Sequence, residues 1–445
     1  MSDPDTIAAI ATPPGTGAVA LIRVSGPDAF GVAHRASLRA PGPPRTASLR
    51  TILDSAGRIL DHTLTTAFTA PASYTGENTV EITTHGGRLV TRRVLDRLIE
   101  CGARQARPGE FTERAFLHGK LDLTQAEAVM DLISAQSDLA LRAAQEQLHG
   151  RLGKITESLR SDLISLVAHL EAWIDFPEED IHPDTGAALD DRLASILSRT
   201  SSLLATADQG RILREGLRTV ICGLPNAGKS SLLNLLLGTD RAIVSNTAGT
   251  TRDTIEEMLV IDSVPLRLID TAGLRSAADS IEEEGIRRAH IEATRADLRI
   301  LVADASLPPE AALPPTLPAA PREILVLNKA DLGIHPLWHH PDAIPLSCYL
   351  GTGTDALHHR IRELADLGEA DWGEHSVAVN ARHRDCLRTA AAALTRAREL
   401  LATAAAPEIA AIELRDALQA LGEIAGKIDS EEILGEIFSR FCIGK

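Results

Sequence analysis

The sequence predicts a multidomain chain of α/β and all-α parts, in which a helical domain is interrupted by a second α/β module. Three observations predict it. The 445 residues exceed an ordinary single domain and point to two to four. Short β-type runs with Gly/Pro turns fill the first 118 residues, then give way from Thr124 to an apolar pattern of helical spacing. Near Gly216 the texture changes to alternating strands and helices, and near Leu367 it turns helical again. The expected division is therefore 1–118, 119–214, 215–370 and 371–445, with the two helical stretches forming one domain around the module. Such an insertion requires the ends of the module to lie close together.

The elements follow in order. Gly17–Val24, Thr65–Phe68 and Thr79–Thr83 are rich in β-branched residues and read as strands. Leu89, Val90, Val94, Leu95, Leu98 and Ile99 recur as one helix face. Helical spacing then runs from Thr124 to Trp173, stops at the Asp175–Asp180 stretch, and resumes over Leu193–Leu204. Beyond the module, Arg384–Leu401, Glu408–Ile424 and Glu431–Phe441 read as helices, and Leu307–Pro321 as a Pro/Ala-rich loop.

Composition bounds the partners. The net charge is −16, so the chain as a whole repels polyanions. Residues 1–118 nevertheless hold thirteen arginines against eleven acids, so an RNA partner would need a local basic face, either this Arg-rich stretch or one supplied by a partner protein. The five dispersed cysteines have no CxxC spacing and fit reduced thiols. Acidic Asp3 and Asp5 and the Pro13–Pro14 pair argue against a signal peptide, and no apolar run is long enough to span a membrane. A soluble, cytoplasmic protein with no membrane partner is expected. His339–His340 and His358–His359 have no carboxylate at ligand spacing and read as surface residues.

The chemistry begins at the strand Leu217–Cys222, followed by Gly223-Leu-Pro-Asn-Ala-Gly228-Lys229-Ser230 and a helix. This is a P-loop in its proper strand–loop–helix context. Its backbone N–H groups can turn around a β-phosphate at a helix N-terminus. Lys229 can reach the β- and γ-phosphates, and the Ser230 hydroxyl can ligate Mg²⁺. Further along, Leu266–Asp270 ends in Asp270-Thr-Ala-Gly273, suited to Mg²⁺ through water and to sensing the γ-phosphate. Asn328-Lys329-Ala330-Asp331 closes a second apolar strand. The Asp331 carboxylate can accept both N1–H and the 2-amino group of guanine, a donor pair adenine lacks. Ser347-Cys-Tyr349 keeps only the serine of a base-supporting loop.

The residues expected to touch GTP are thus Asn226, Ala227, Gly228, Lys229, Ser230 and Ser231, then Ser245, Asn246, Thr247, Ala248, Gly249, Thr250 and Thr251. Asp270, Thr271, Ala272 and Gly273 follow, with Asn328, Lys329, Asp331 and Ser347. Ser230 and Thr251 are the Mg²⁺ candidates. The position that in small GTPases commonly holds a water-orienting glutamine is Leu274, which cannot position water. The polar group must come from elsewhere, and Glu282-Glu283-Glu284 is the nearest reservoir.

With these motifs the chain resembles the tRNA-modification GTPase family MnmE, also called TrmE. The resemblance includes Ala11–Gly15, Leu21–Gly26, Ser73–Glu77, His85–Gly87, Ala106–Phe116, Lys120–Leu123 and the closing Phe441-Cys-Ile-Gly-Lys445. It implies an N-terminal α/β folate-binding and dimerisation domain, and a central helical domain carrying an inserted Ras-like G domain. It also implies a tetrahydrofolate derivative (5-formyl or 5,10-methylene) held by Arg23, Glu81, Lys120 and Lys445. In such a family the homodimer works with the flavoprotein MnmG (GidA) in a heterotetramer. Together they place an aminomethyl-type, carboxymethylaminomethyl group on C5 of the wobble uridine, position 34, of certain tRNAs. GTP hydrolysis there uses K⁺ instead of an arginine finger, with ligands at Asn226, Ser245, Thr247 and Thr250, and a water-orienting glutamate at Glu282. Read without the resemblance, the four folate positions would pass as surface charges. The competing readings are a regulatory or ribosome-assembly GTPase with a helical scaffold, and a folate-binding scaffold in which nucleotide only holds the fold.

Overall fold

A computed structural model describes residues 5–175, 187–239, 257–269, 296–314, 320–365, 377–402, 407–427, 431–439 and 441–445. The chain forms two compact units, one of Met1–Met130, Leu152–Arg160 and Leu421–Lys445, the other of Asp131–Arg151 and Ser161–Ala420.

The first unit opens with β1 (Ile7–Ile10), β2 (Val19–Ser25), α1 (Ala29–Ser37), β3 (Ser48–Leu53), β4 (Ile59–Phe68), β5 (Thr79–His85), α2 (Arg88–Glu100), β6 (Arg104–Gln105) and α3 (Glu110–Leu117). The sheet order is β3-β4-β5-β2-β1-β6. Only the β1–β6 pair is parallel. Helices α1 and α2 cover one face, burying Val32, Ala36, Val94 and Leu98 against Ile22, Val24, Val80 and Ile82. On the other face Phe111 of α3 and Tyr74 pack on Ile7 and Ala9. Strand β4 reverses the usual alternation. Asp61, Thr63 and Thr65 are buried, whereas Leu64 is half exposed. Asp61 is satisfied there by the His62 and His85 N–H groups and the His85 ring, each within 2.8 Å.

Ions tie this unit together at the start of α3. Glu110, 3% exposed, accepts from Arg104, from the Arg107 N–H and from Arg114. Asp5 and Glu77 share the same arginines. Burial pushes the Glu110 pKa up, but these donors outweigh it and hold it low. The hydrogen bond from Arg104 leads in bringing Asp5 down to about 2. Carboxylates held low in the fold stabilise it above their ordinary values, and that stability fades as pH falls toward about 2. Glu110→Gln removes the buried carboxylate that Arg104 and Arg114 share, leaving them Asp5 and Glu77, and should cost about 1.5–3 kcal/mol at pH 7. Urea unfolding at pH 7 and pH 2 checks this: the gap between variant and parent should shrink at the lower pH.

Helices α4 (Leu123–Ser134), α5 (Asp138–Leu148), α6 (Arg151–Asp175), α7 (Ala187–Ala205) and α8 (Ala207–Glu215) follow. The Ser137 hydroxyl caps α5 by accepting from the Ala140 N–H. The inserted module comprises β7 (Leu217–Cys222), α9 (Lys229–Thr239), β8 (Glu257–Ile261), β9 (Val264–Leu268), β10 (Leu298–Asp304), α10 (Pro309–Ala312), β11 (Glu323–Asn328), β12 (Ile344–Pro345) and α11 (Thr354–Ala365). Its sheet runs β12-β11-β10-β7-β9-β8, antiparallel only between β8 and β9. The expected loop after Leu307 thus contains a helical turn. Pro309 sits at its first position, where a fixed φ suits a helix start and no N–H is missed.

Helices α12 (Ala381–Ala402), α13 (Pro407–Ile424) and α14 (Glu431–Ser439) complete the chain. α12 packs on α7, and Arg398 forks onto Asp190 at 2.6 and 2.8 Å. The Thr206 hydroxyl donates to the Val377 carbonyl at 3.1 Å, so the residues on either side of the module meet.

Candidate functional site

The P-loop grows out of β7, which is buried between β9 and β10. Gly223 has φ +149°, and a Cβ there would stand 2.2 Å from the Val302 carbonyl oxygen of β10. Only glycine lets the loop leave the sheet this close to its neighbour. Asn226 is left-handed at φ +62° and Gly228 at φ +98°, after which α9 begins with the Leu232 N–H bonding to the Gly228 carbonyl. The loop thereby leads into the N-terminus of α9, where free backbone N–H groups can cradle a phosphate. Lys229 reaches back and donates to the Leu224 carbonyl at 2.9 Å. Burial lowers its pKa. Ser230 and Ser231 follow in the first turn of α9.

The base side is assembled from β11 and the loop after β12. Asn328 is buried, and its amide joins three segments. Nδ2 donates to the Ala227 carbonyl of the P-loop at 2.9 Å, and Oδ1 accepts from the Cys348 N–H at 3.1 Å. Lys329 takes the left-handed conformation at φ +64° and pairs with Asp304 at 2.6 Å. The fully buried Ser347 hydroxyl donates to one Asp331 oxygen at 2.5 Å, which sets the carboxylate's orientation. Burial, with the Asp331 charge, pushes the Cys348 thiol up to about 11, so it stands as a small neutral group beside the base pocket. The structure therefore brings Asn226, Ala227, Gly228, Lys229, Ser230, Asn328, Lys329, Asp331 and Ser347 to one rim. Residues 245–251, Asp270–Gly273, Leu274 and Glu282 lie outside the described residues.

Sequence reasoning missed Asp304, the partner of Lys329. Its signal was available, as an acid at the C-terminal end of a buried parallel strand. Burial works against the Asp304 charge, but bonds from Lys329 and Ser306 lower its pKa on balance.

The second cluster is in the N-terminal unit. Arg23 of β2 and Glu81 of β5 are cross-strand partners. The Arg23 guanidinium gives two bonds to Glu81 Oε1, at 2.8 and 3.1 Å, and lies 5.2 Å from the Tyr74 ring and 5.7 Å from Phe111. The pair is half-buried rather than a pair of surface charges, and Glu81 Oε2 has no partner among the described residues. The Lys445 carbonyl accepts from the Phe111 N–H at 3.2 Å, and the Lys120 Nζ donates to the Pro71 carbonyl at 3.1 Å. Arg23, bonded to Glu81, lies over Phe111, the Lys445 backbone carbonyl meets the Phe111 N–H, and Lys120 sits beside the Pro71–Gly76 loop. A carboxylate with a spare oxygen beside aromatic walls fits the aminopyrimidine edge of a pterin.

Against known proteins, residues 123–442 match the family described as the MnmE helical domain, and residues 6–120 match the N-terminus of the GTP-binding protein TrmE. A tRNA modification GTPase MnmE of Akkermansia muciniphila is 51% identical over 450 residues, covering 100% of both chains. Similar proteins of that name in Opitutus terrae and Xanthomonas campestris pv. campestris strain B100 are 44% and 45% identical over at least 99% of each chain.

Proposed function

The chain belongs to the MnmE family of tRNA modification GTPases, and from that premise we propose that it hydrolyses GTP to drive modification of the wobble uridine. The single observation that carries the GTP half is the triangle of Asn328, Ala227 and Cys348, which locks the phosphate loop, the base-reading strand and the base-supporting loop into one pocket. Asp331, oriented by Ser347, reads guanine. Lys229 leaves the Leu224 carbonyl to meet the β- and γ-phosphates, a better partner for its charge than a neutral oxygen. Ser230, with Thr251, would hold Mg²⁺, which neutralises developing charge on the transferred phosphoryl group. Asn226, Ser245, Thr247 and Thr250 would hold K⁺, which supplies the positive charge an arginine finger would otherwise bring. Glu282 takes the water-orienting role closed to Leu274.

Arg23, Glu81, Lys120 and Lys445 would hold a tetrahydrofolate derivative, the source of the added carbon. Glu81 Oε2 offers the free acceptor for the pterin edge, while Arg23 fixes the carboxylate against the Tyr74 and Phe111 rings. Homodimerisation through this unit is supported by an open apolar strip on one sheet face: Val19, Leu49 and Leu64 are 62%, 67% and 51% exposed. The domain division of the reading above, the flavoprotein partner MnmG, the carboxymethylaminomethyl product and a cytoplasmic site of action are part of the same proposal. No helix among the described residues is long and apolar enough to cross a membrane.

Two measurements test it. GTP turnover should rise at least about tenfold when Na⁺ is exchanged for K⁺, one decade corresponding to about 1.4 kcal/mol off the barrier. Glu282→Ala should remove most of the K⁺-stimulated rate while nucleotide binding persists. Equal rates in both salts would sink the cation mechanism. For the RNA half, nucleoside mass spectrometry of tRNA from cells lacking the protein should show the wobble modification gone.

A further inference from the structure

We infer that tRNA docks its phosphate backbone on the outer faces of α1 and α2, a basic ridge on this acidic chain. The inference rests on the tRNA-modifying reading above and names the surface that would serve it.

Charge pairing within the N-terminal unit leads to that ridge. Asp5, Glu77 and Glu110 are taken by Arg104 and Arg114, Glu81 by Arg23, Asp54 by Arg58, Asp61 by His85 and Glu113 by Arg107. The acids on the ridge itself, Asp28, Asp96 and Glu100, are each taken by a local arginine. Five arginines have no acidic partner among the described residues: Arg45 and Arg50 donate to backbone carbonyls, and Arg39, Arg88 and Arg93 are exposed with no side-chain partner. Residues 28–39 and 88–100 hold six arginines and three acids, a local excess of three positive charges on a chain of net charge −16.

Geometry makes the ridge continuous. α1 and α2 lie side by side on one sheet face. The Arg35 guanidinium of α1 donates to the Cys101 carbonyl just past the end of α2, at 2.8 Å. Arg39 follows just past the end of α1, two residues after Ser37. At about 1.5 Å per residue, α2 alone gives the ridge a length of ~20 Å. The three guanidinium groups without an acidic partner, Arg39, Arg88 and Arg93, suit phosphates, because each can form charge-assisted bonds to phosphate oxygens. An acidic protein surface is the competing occupant. RNA is favoured by charge: the ridge holds three more arginines than acids, and each unpaired guanidinium is a planar donor suited to phosphate oxygens.

The test uses the full-length chain and an unmodified tRNA transcript with uridine at the wobble position. The triple variant Arg39→Ala, Arg88→Ala, Arg93→Ala should bind that tRNA about tenfold or more weakly near physiological salt. The slope of log affinity against log salt should flatten by roughly 2–3, from 0.7–0.9 per lost phosphate contact. GTP turnover and the thermal midpoint should stay at the parent's values, since none of the three belongs to the nucleotide or folate cluster. The proposal is overturned if the triple variant matches the parent in affinity and slope, or if the parent itself does not bind the transcript. It is equally overturned if tRNA binding persists while association with a partner protein is lost. The wobble-nucleoside measurement stands apart from all of these. A vanished modification in cells lacking the protein, with an unaffected triple variant, rejects the ridge and keeps the reading.

Discussion

Asp331→Asn should exchange the nucleotide the protein accepts. The Ser347 hydroxyl donates to one Asp331 oxygen at 2.5 Å, which fixes the carboxylate that would meet a guanine edge. An amide in its place turns one acceptor into a donor facing the guanine donors. Two charge-assisted bonds are lost and one donor–donor conflict is created, worth about 3–4 kcal/mol, so GTP affinity should fall roughly 10²- to 10³-fold. Xanthine carries a carbonyl where guanine carries its 2-amino group, and the new amide can donate to it. Xanthosine triphosphate should therefore bind the variant better than GTP does. Competition between the two nucleotides by fluorescence or calorimetry decides the matter. A variant that still prefers GTP would mean that Asp331 does not read the base.

Gly228→Ala should be nearly as severe, for a different reason. The added Cβ would fall 2.0 Å from Asn328 Nδ2, and the residue would be held at φ +98°, which L side chains rarely adopt. Relief requires Asn328 to release the Ala227 carbonyl, and with it the link to the Cys348 N–H. One substitution in the phosphate loop thus loosens the base side. We expect stability to fall by about 2–4 kcal/mol and GTP affinity to fall at least about 100-fold, because the cradle is no longer pre-organised. Thermal unfolding with and without GTP separates the two effects. Gly238→Ala, within α9 and with open space around its Cβ, is the control and should leave both unchanged.

The module was legible because its signals are local. β7 begins and ends where the apolar run does, and β11 ends on Asn328, the first residue of the guanine-reading tetrapeptide. The P-loop and the guanine-reading tetrapeptide require particular residues at fixed spacing, so a single sequence suffices to see them. What joins them is not local. That Asn328 would brace the P-loop rather than simply border the nucleotide depends on parallel strands whose pairing no short window reveals. The N-terminal unit shows the opposite failure. On β4 the apolar residues Ile59 and Leu64 face outward while Asp61, Thr63 and Thr65 face the core. A hydrophobic alternation read in isolation would seat that strand backwards. Arg23 and Glu81 likewise look like ordinary surface charges until β2 and β5 are laid side by side and Phe111 is folded beneath them.

The N-terminal unit is sewn from stretches far apart in the chain: the Leu123 N–H donates to the Ala425 carbonyl, and Gly444 lies against Ile10. During synthesis the opening sheet emerges first, yet its closing pieces leave the ribosome only after about 300 further residues have been made. Until then the Phe111 side of the sheet has no tail to rest on, and the nascent protein carries an unfinished surface.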